Sequence, residues 1–181
     1  MKVEELSVPG AKLMVGGLAI DNRGSFFKPY NYENLLEMGI KFDVQEVFYS
    51  VSRKGVIRGM HFQKPPSEQE KIVTVIKGSI MDVILDLRTN SEYFGKFITI
   101  RMNEEDGRSV LIPKGTAHGF LGLDLENIVL YLADASYSKE DEDGIRYDSF
   151  GYDWGIIEPI LSNRDLSFRR FDEFISPFRI K

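Results

Sequence analysis

Two histidines occur in the chain, His61 in Arg58-Gly59-Met60-His61-Phe62-Gln63 and His118 in Pro113-Lys114-Gly115-Thr116-Ala117-His118-Gly119-Phe120. Imidazole ionises near neutrality, so each is a candidate proton carrier. Lys71 lies ten residues beyond His61, in Gln69-Glu70-Lys71-Ile72-Val73. A base, an ammonium group and a second imidazole gathered in one cavity would suit proton removal beside a carbonyl. The base takes the proton and the cation stabilises the oxygen as it becomes negative; losing one such stabilising donor typically costs about 2.7–4 kcal/mol. Tyr131, in Val129-Leu130-Tyr131-Leu132, and Tyr137 carry phenols able to return a proton. A carboxylate to orient His61 has three candidates, Asp165, Asp82 and Asp86, and spacing does not choose among them. Taken singly, these residues also have ordinary readings: a hydrogen-bonded strand histidine, a surface lysine, a packed tyrosine.

Such groups need rigid elements to hold them. Short β-branched and aromatic runs punctuated by Gly, Pro, Asn and Asp predict strands at 43–51, 56–62, 71–77, 79–87, 97–102, 109–112, 117–121 and 127–133. Val83, Leu85 and Leu87 alternate with Asp82, Ile84 and Asp86, the period of a strand with two different faces. The same period puts His61 and Gln63 on one face, and Met60 and Phe62 on the other. Lys77-Gly78-Ser79 reads as a hairpin turn. Helical signal is sparse: Asn31 can cap a short helix through Leu35, Leu36 and Met38, and the tail from Asp165 to Phe178 can hold another. The run Lys139-Glu140-Asp141-Glu142-Asp143 reads as a solvated loop. Many short strands separated by turns point to an all-β sandwich or barrel, whose interior strip offers a concave cavity.

With 181 residues, 43% hydrophobic and 12% aromatic, the chain is expected to form one soluble globular domain, 1–181. No apolar run approaches the roughly 20 residues of a membrane span. The start lacks a secretory pattern, and a cytoplasmic location is expected. The absence of cysteine excludes disulfides, thiolate chemistry and cysteine-ligated zinc. A net charge of −5 argues against nucleic acid as a partner. It still allows a small anion to be held by local cations, for which Arg23, Arg58, Lys71 and Arg164 are candidates.

The spacing Gly107-x5-Pro113-x-Gly115-x2-His118 matches most of the second motif of cupins, a family of jelly-roll barrels. The first cupin motif supplies a His-x-His metal-binding pair. Here His61 is followed by Phe62 and Gln63, so the pair is broken and no metal is expected.

A longer ordered set is more specific. It runs from Asp21-x-Arg23-Gly24-x-Phe26 through Ser50-x-Ser52-x-Lys54-Gly55-Val56-Ile57-Arg58-Gly59-Met60-His61-Phe62-Gln63 and Gln69-x-Lys71-Ile72-Val73. It continues through Ile112-Pro113-x-Gly115-x-Ala117-His118-Gly119-Phe120, Tyr131, Tyr137, Glu142, Asp153-Trp154 and Leu161-Ser162-x-x-Asp165. This set, covering about residues 17 to 165, resembles the dTDP-4-dehydrorhamnose 3,5-epimerase family of cupin barrels. The resemblance implies a double-stranded β-helix with a few short peripheral helices. It also implies epimerisation of a nucleotide-diphosphate-linked 4-keto-6-deoxy sugar through an enolate, with no cofactor, in a homodimer. It gives His61 the role of base, Asp165 that of its orienting carboxylate, Lys71 that of enolate stabiliser and Tyr131 that of acid on the opposite face. His118, Gln63 and Tyr137 would line the pocket, Arg23 and Arg58 would hold the pyrophosphate, and Glu142 and Arg164 would contact the nucleotide sugar.

Departures fall on the nucleotide side. The family usually has glutamate where Lys28 stands, and Gln-Asp-Asn where this chain has Glu46-Val47-Phe48. Arg164 replaces the usual lysine before Asp165. Lys28, Glu46 and Phe48 are therefore candidates for altered nucleotide contacts, and dTDP, CDP and GDP all stay open as carriers. Alternative activities are a related ketoisomerase, a sugar-nucleotide binding module without catalysis, and a metal-dependent oxygenase.

Overall fold

A computed structural model describes residues 2–180. Along the chain come β1 (Lys2–Glu5), β2 (Lys12–Val15), β3 (Leu18–Asp21), β4 (Gly24–Phe27), α1 (Tyr32–Glu37), β5 (Glu46–Arg53), β6 (Ile57–Gln63) and β7 (Lys71–Lys77). Next are β8 (Ser79–Asp86), β9 (Phe97–Asn103), β10 (Arg108–Ile112), β11 (Thr116–Gly122), β12 (Glu126–Ala133), β13 (Glu142–Gly144) and α2 (Asn163–Ser167), with a 3-10 turn at Phe171–Glu173. One sheet runs β1-β2-β10-β7-β12-β5 and the other β13-β6-β11-β8-β9, while β3 and β4 form a separate hairpin. The paired strands are antiparallel. Two facing antiparallel sheets in this order make a cupin-type jelly roll.

The eight strands expected from sequence correspond to β5 through β12. Their two-faced pattern has a specific use in β8. Val83 and Leu85 pack outward with Ile57, Met60, Phe62, Phe150, Trp154 and Phe178, beneath the C-terminal segments. Ile80 and Ile84 pack inward with Val73, Val75, Val110, Phe120 and Val129, between the sheets. Both faces of β8 are thus buried. A third cluster seats α1 against the six-stranded sheet through Leu35, Phe42, Ile72, Leu111 and Leu132. Asn31 caps α1 by accepting from the Asn34 amide, as its sequence predicts.

Three expectations need correction. Lys77-Gly78-Ser79 is not a hairpin: β7 pairs with β10 and β12, whereas β8 pairs with β11 and β9. The chain turns there from one sheet to the other. Gly78 has φ +77°, and a Cβ on it would collide with the Glu126 carbonyl oxygen. A positive-φ glycine serves a sheet-crossing corner as readily as a hairpin. The acidic run 139–143 is not a solvated loop throughout, because β13 pairs Glu142 with Gln63 and Asp143 with Phe62. Asp141 accepts from the hydroxyls of Ser67 and Ser138. The tail beyond Asp165 forms only the end of α2 and the 3-10 turn. Past these it crosses the barrel as an irregular strap, with the Phe178 ring buried and its carbonyl accepting from the Thr89 amide.

At the end of β8, the buried Asp86 carboxylate accepts from Arg88 N at 2.9 Å, from Arg88 Nε and Nη2 at 2.8 Å, and from Ser91 Oγ at 2.6 Å. Asp86→Ala would leave the buried guanidinium without its counter-charge. The expected loss is about 3–5 kcal/mol of stability, read as a lower midpoint in urea unfolding.

Candidate active site

A cavity of about 320 Å³ opens between the sheets. Its lining includes Arg58, His61 and Gln63 from β6, His118 from β11, Lys71 from β7, Tyr131 from β12, and Glu46, Phe48 and Ser50 from β5. His61 and Tyr131 therefore reach one cavity from opposing sheets. Register explains the neighbours. His61 pairs with His118 across β6 and β11. Tyr131 pairs with Phe48 across β12 and β5, and their rings stack at 4.7 Å. The strands β6 and β11 approach closely below the two histidines, where a Cβ on Gly59 would lie 2.5 Å from Gly119 Cα.

Each imidazole is held by a carboxylate. His61 Nε2 lies 2.9 Å from Asp165 Oδ1 across 104 residues of sequence. Ser162 caps α2 by accepting from the Asp165 amide, and this short helix turns the carboxylate inward. The His61 side chain keeps 26% of its surface exposed, against 4% for Asp165. Burial would raise the Asp165 carboxyl, but the His61 hydrogen bond and charge and the Gly59 N–H outweigh it and hold the pKa at about 2. His118 Nε2 lies 2.6 Å from Asp82 Oδ1, deeper in the barrel. Of the three carboxylates left open by sequence, Asp165 contacts His61, Asp82 contacts His118 and Asp86 contacts Arg88.

The electrostatics separate the groups by role. Burial pushes the His61 pKa below its ordinary value, opposed by Asp165 and reinforced by the charges of Arg164 and Lys71. A neutral imidazole can accept a proton. Burial lowers Lys71 to about 8 against the pull of Glu142 and Glu46, so its ammonium form prevails at neutral pH. Burial raises the Tyr131 phenol well above its usual value, aided by Asp82 and opposed by Ser50 and Arg58. Tyr131 therefore keeps its proton across the working range.

The rim is tied together. Arg164 Nη1 lies 2.5 Å from Glu142 Oε1, the Tyr137 hydroxyl donates to Glu142 Oε2 at 2.8 Å, and the Tyr137 amide donates to Glu46 Oε2 at 2.9 Å. Arg58 donates to the Ser52 hydroxyl and the Val51 carbonyl. The Gln63 side chain accepts from the Ser138 amide.

Two expected binding residues are not in this cavity. Arg23 and Lys28 lie on or just after the β3–β4 hairpin, and neither belongs to the lining. The Arg23 side chain is 85% exposed and is folded back on Asp21. The hairpin's strands pair only with each other, outside both sheets that line the pocket. Conversely, Ser50 and Gln69 line the cavity although sequence reasoning did not single them out. Period two would have found both, since Ser50 follows Glu46 and Phe48 and Gln69 precedes Lys71 by one pleat. Phe168 was also missed; its ring meets the His61 ring edge-on, with centroids 5.6 Å apart. Among the described residues, no group of three or more His, Cys, Asp and Glu side chains converges as a metal site. No helix among them is long and apolar enough to cross a membrane.

A jelly roll that presents a carboxylate-held imidazole, a half-buried ammonium and a phenol to one cavity is a cupin barrel equipped for acid–base chemistry. A family model described as dTDP-4-dehydrorhamnose 3,5-epimerase matches residues 5–173, and the chain belongs to that family. It is 38% identical over 167 residues to the dTDP-4-dehydrorhamnose 3,5-epimerase of Mycolicibacterium smegmatis, covering 91% of this chain and 83% of the relative. The crystal structure of the Bacillus anthracis dTDP-4-dehydrorhamnose 3,5-epimerase with TDP and PPi bound superposes with a TM-score of 0.90 at 36% identity, covering 93% of this chain and 98% of that one. ChmJ, a 3'-monoepimerase from Streptomyces bikiniensis solved with dTDP-quinovose, superposes with a TM-score of 0.85 at 29% identity, covering 91% of this chain and 85% of that one.

Proposed function

We propose that the chain epimerises a dTDP-linked 4-keto-6-deoxy sugar at carbon 3, carbon 5 or both, as a step of deoxysugar biosynthesis. The observation that carries this reading is the supply of His61 and Tyr131 to one cavity by opposing sheets, with Lys71 on the same cavity. A 4-keto group acidifies the hydrogens on the flanking ring carbons. Neutral His61 removes one of them, and Asp165 stabilises the imidazolium that results. Lys71 stabilises the enolate oxygen. Tyr131, protonated and on the other wall, returns a proton to the opposite face and inverts the centre. The sugar begins and ends at the same oxidation level, so the step consumes no oxidant or reductant. The nucleotide supplies binding energy that orients the ring.

The homodimer belongs to the same proposal. The outer face of the edge strand β5 exposes Val47, Tyr49 and Val51, with Tyr49 at 68%, and the β3–β4 hairpin exposes Ile20 and Phe26. A second copy covering these apolar surfaces would let Arg23 and Lys28 serve a neighbouring pocket rather than their own. That would reconcile their family role with their position.

The test is incubation with dTDP-4-keto-6-deoxyglucose in deuterated water, followed by NMR. Deuterium is expected at carbon 3, carbon 5 or both, with inversion there and the ketone still at carbon 4. A ketone moved to a neighbouring carbon would identify a ketoisomerase, and binding without exchange would identify a binding module. Tyr131→Phe should slow inversion by about 10²-fold or more while exchange at the deprotonated carbon falls less. Wild-type inversion in that variant would remove Tyr131 from the acid role.

A further inference from the structure

On the wall opposite His61, the Tyr131 phenol is boxed in by its own sheet and by the facing one. Its partner across β7 is Val73 and its partner across β5 is Phe48. Residues directly opposite on neighbouring strands share a face, so the three stand in one row. The rings of Phe48 and Tyr131 lie nearly parallel, with 8° between their planes and 4.7 Å between centroids. From the facing sheet, the His118 ring meets the phenol edge-on at 6.1 Å and 70°. β5 is the last strand of its sheet, so the row ends at Phe48. One pleat away, Ser50 on β5 and Ala133 on β12 are too short to stand in for that ring. Phe48 is 39% exposed, against 7% for Tyr131. A phenylalanine so exposed adds little to the core, and its covered face is the one laid against the phenol.

Building on the assignment of Tyr131 as the acid, we propose that Phe48 is a positioning residue that holds the Tyr131 phenol in one rotamer, aimed at the reacting ring carbon. A strand tyrosine has two common settings of χ1, and the stacked ring closes the lateral space toward the sheet edge. Proton return to carbon is sensitive to such a restraint, because a misplacement of about 1 Å can cost about 10²-fold. Proton removal is not, since His61 works from the other sheet. Loss of the Phe48 ring therefore separates the two halves of the reaction. His61 still takes the proton, and in deuterated water its imidazolium exchanges that proton for a deuteron. With the phenol out of place, the deuteron goes back from His61 to the face that lost the proton. The sugar is then labelled without being inverted.

The test has two arms. In the first, Phe48→Ala, Phe48→Leu and Phe48→Tyr turn over dTDP-4-keto-6-deoxyglucose in deuterated water, and NMR counts deuterium in inverted and uninverted sugar. The Ala and Leu variants should lose about tenfold or more in inversion while exchange falls far less, so label builds up in sugar of unchanged configuration. Phe48→Tyr keeps the flat ring and should restore the wild-type ratio. In a Tyr131→Phe background, Phe48→Ala should alter the ratio no further, because both changes act through one group. A wild-type ratio in Phe48→Ala and Phe48→Leu would overturn the proposal, whether it comes with a parallel fall in both rates or with a higher KM alone. The second arm needs no turnover. Three-bond NMR couplings across χ1 of Tyr131 should report a single rotamer in the free wild-type protein and averaging in Phe48→Ala, or in Phe48→Leu if the smaller residue unfolds the chain. Averaging in the wild type, or a single rotamer in the variants, would equally overturn it. A clamped Tyr131 in a wild-type protein that neither exchanges nor inverts the sugar would sink the epimerase reading alone.

Discussion

His61→Ala should abolish deuterium incorporation from solvent into the sugar ring, with kcat falling by about 10²–10⁴-fold, the range for loss of a positioned acid–base group. The barrel should survive the change. His61 faces the cavity and keeps a quarter of its side-chain surface exposed, whereas its strand neighbours Met60 and Phe62 supply the packing. An unchanged near-UV circular dichroism spectrum together with lost exchange is the expected pair of results; full exchange would remove His61 as the base. The pH profile adds a second check. The base must be neutral, and burial places its pKa below the ordinary histidine value. Activity should therefore persist as pH falls past 6.5, the model-peptide value for histidine, and be lost only below it. Asp165 opposes that shift, so Asp165→Asn should move the acid limb lower still while reducing kcat. Glu70 is a rival source of an acid limb, since burial and Asp134 raise it to about 7. Glu70→Gln should leave the limb where it is.

The sequence made some parts of this molecule legible and hid others for physical reasons. The strands β5 to β12 were readable because β-branched and aromatic runs at period two reflect a pleated surface with two distinct environments. In β1 to β4 and β13 the signal fails. These have three or four residues each, too few for a period to emerge, and β13 hides within an acidic run. The glycine signature of Lys77-Gly78-Ser79 reported a positive φ correctly, yet it could not say which strands would pair. Pairing is decided by neighbours on both edges of β7 and β8, and each of those edges is taken by another strand.

The site shows the same division. His61 and Gln63 on one face, with Met60 and Phe62 on the other, followed from alternation; Met60 and Phe62 both pack in the outer cluster, although Phe62 also borders the cavity that His61 and Gln63 line. The contact between His61 and Asp165 did not follow, because 104 residues intervene and α2 must dock before the carboxylate turns inward. Only the ordered resemblance singled it out beforehand. Arg23 and Lys28 show the limit of that route. Family position implies a function for each, but their hairpin pairs only within itself, and neither residue lines the cavity of its own chain.

Lys71→Met should reduce kcat by about 10²–10³-fold, the usual result of removing one donor from a developing oxyanion. The size follows from burial. Lys71 sits where protein has displaced water, which lowers its pKa to about 8, and a charge there acts on a nearby oxygen with little screening. The same burial makes the residue pH-sensitive. Its folded-state pKa lies below the ordinary lysine value, so the ammonium is present at neutral pH and lost as pH rises through about 8. An alkaline limb near pH 8 is therefore expected in kcat. Tyr131 cannot produce it, because burial drives that phenol to a much higher value. In Lys71→Met the residual activity should show no such limb. Lys71→Arg, which keeps its charge far above pH 8, should move the limb upward even if the bulkier fork lowers kcat. An alkaline limb still near 8 in both variants would mean that another group titrates there, and Lys71 would lose its role as the cation that stabilises the enolate.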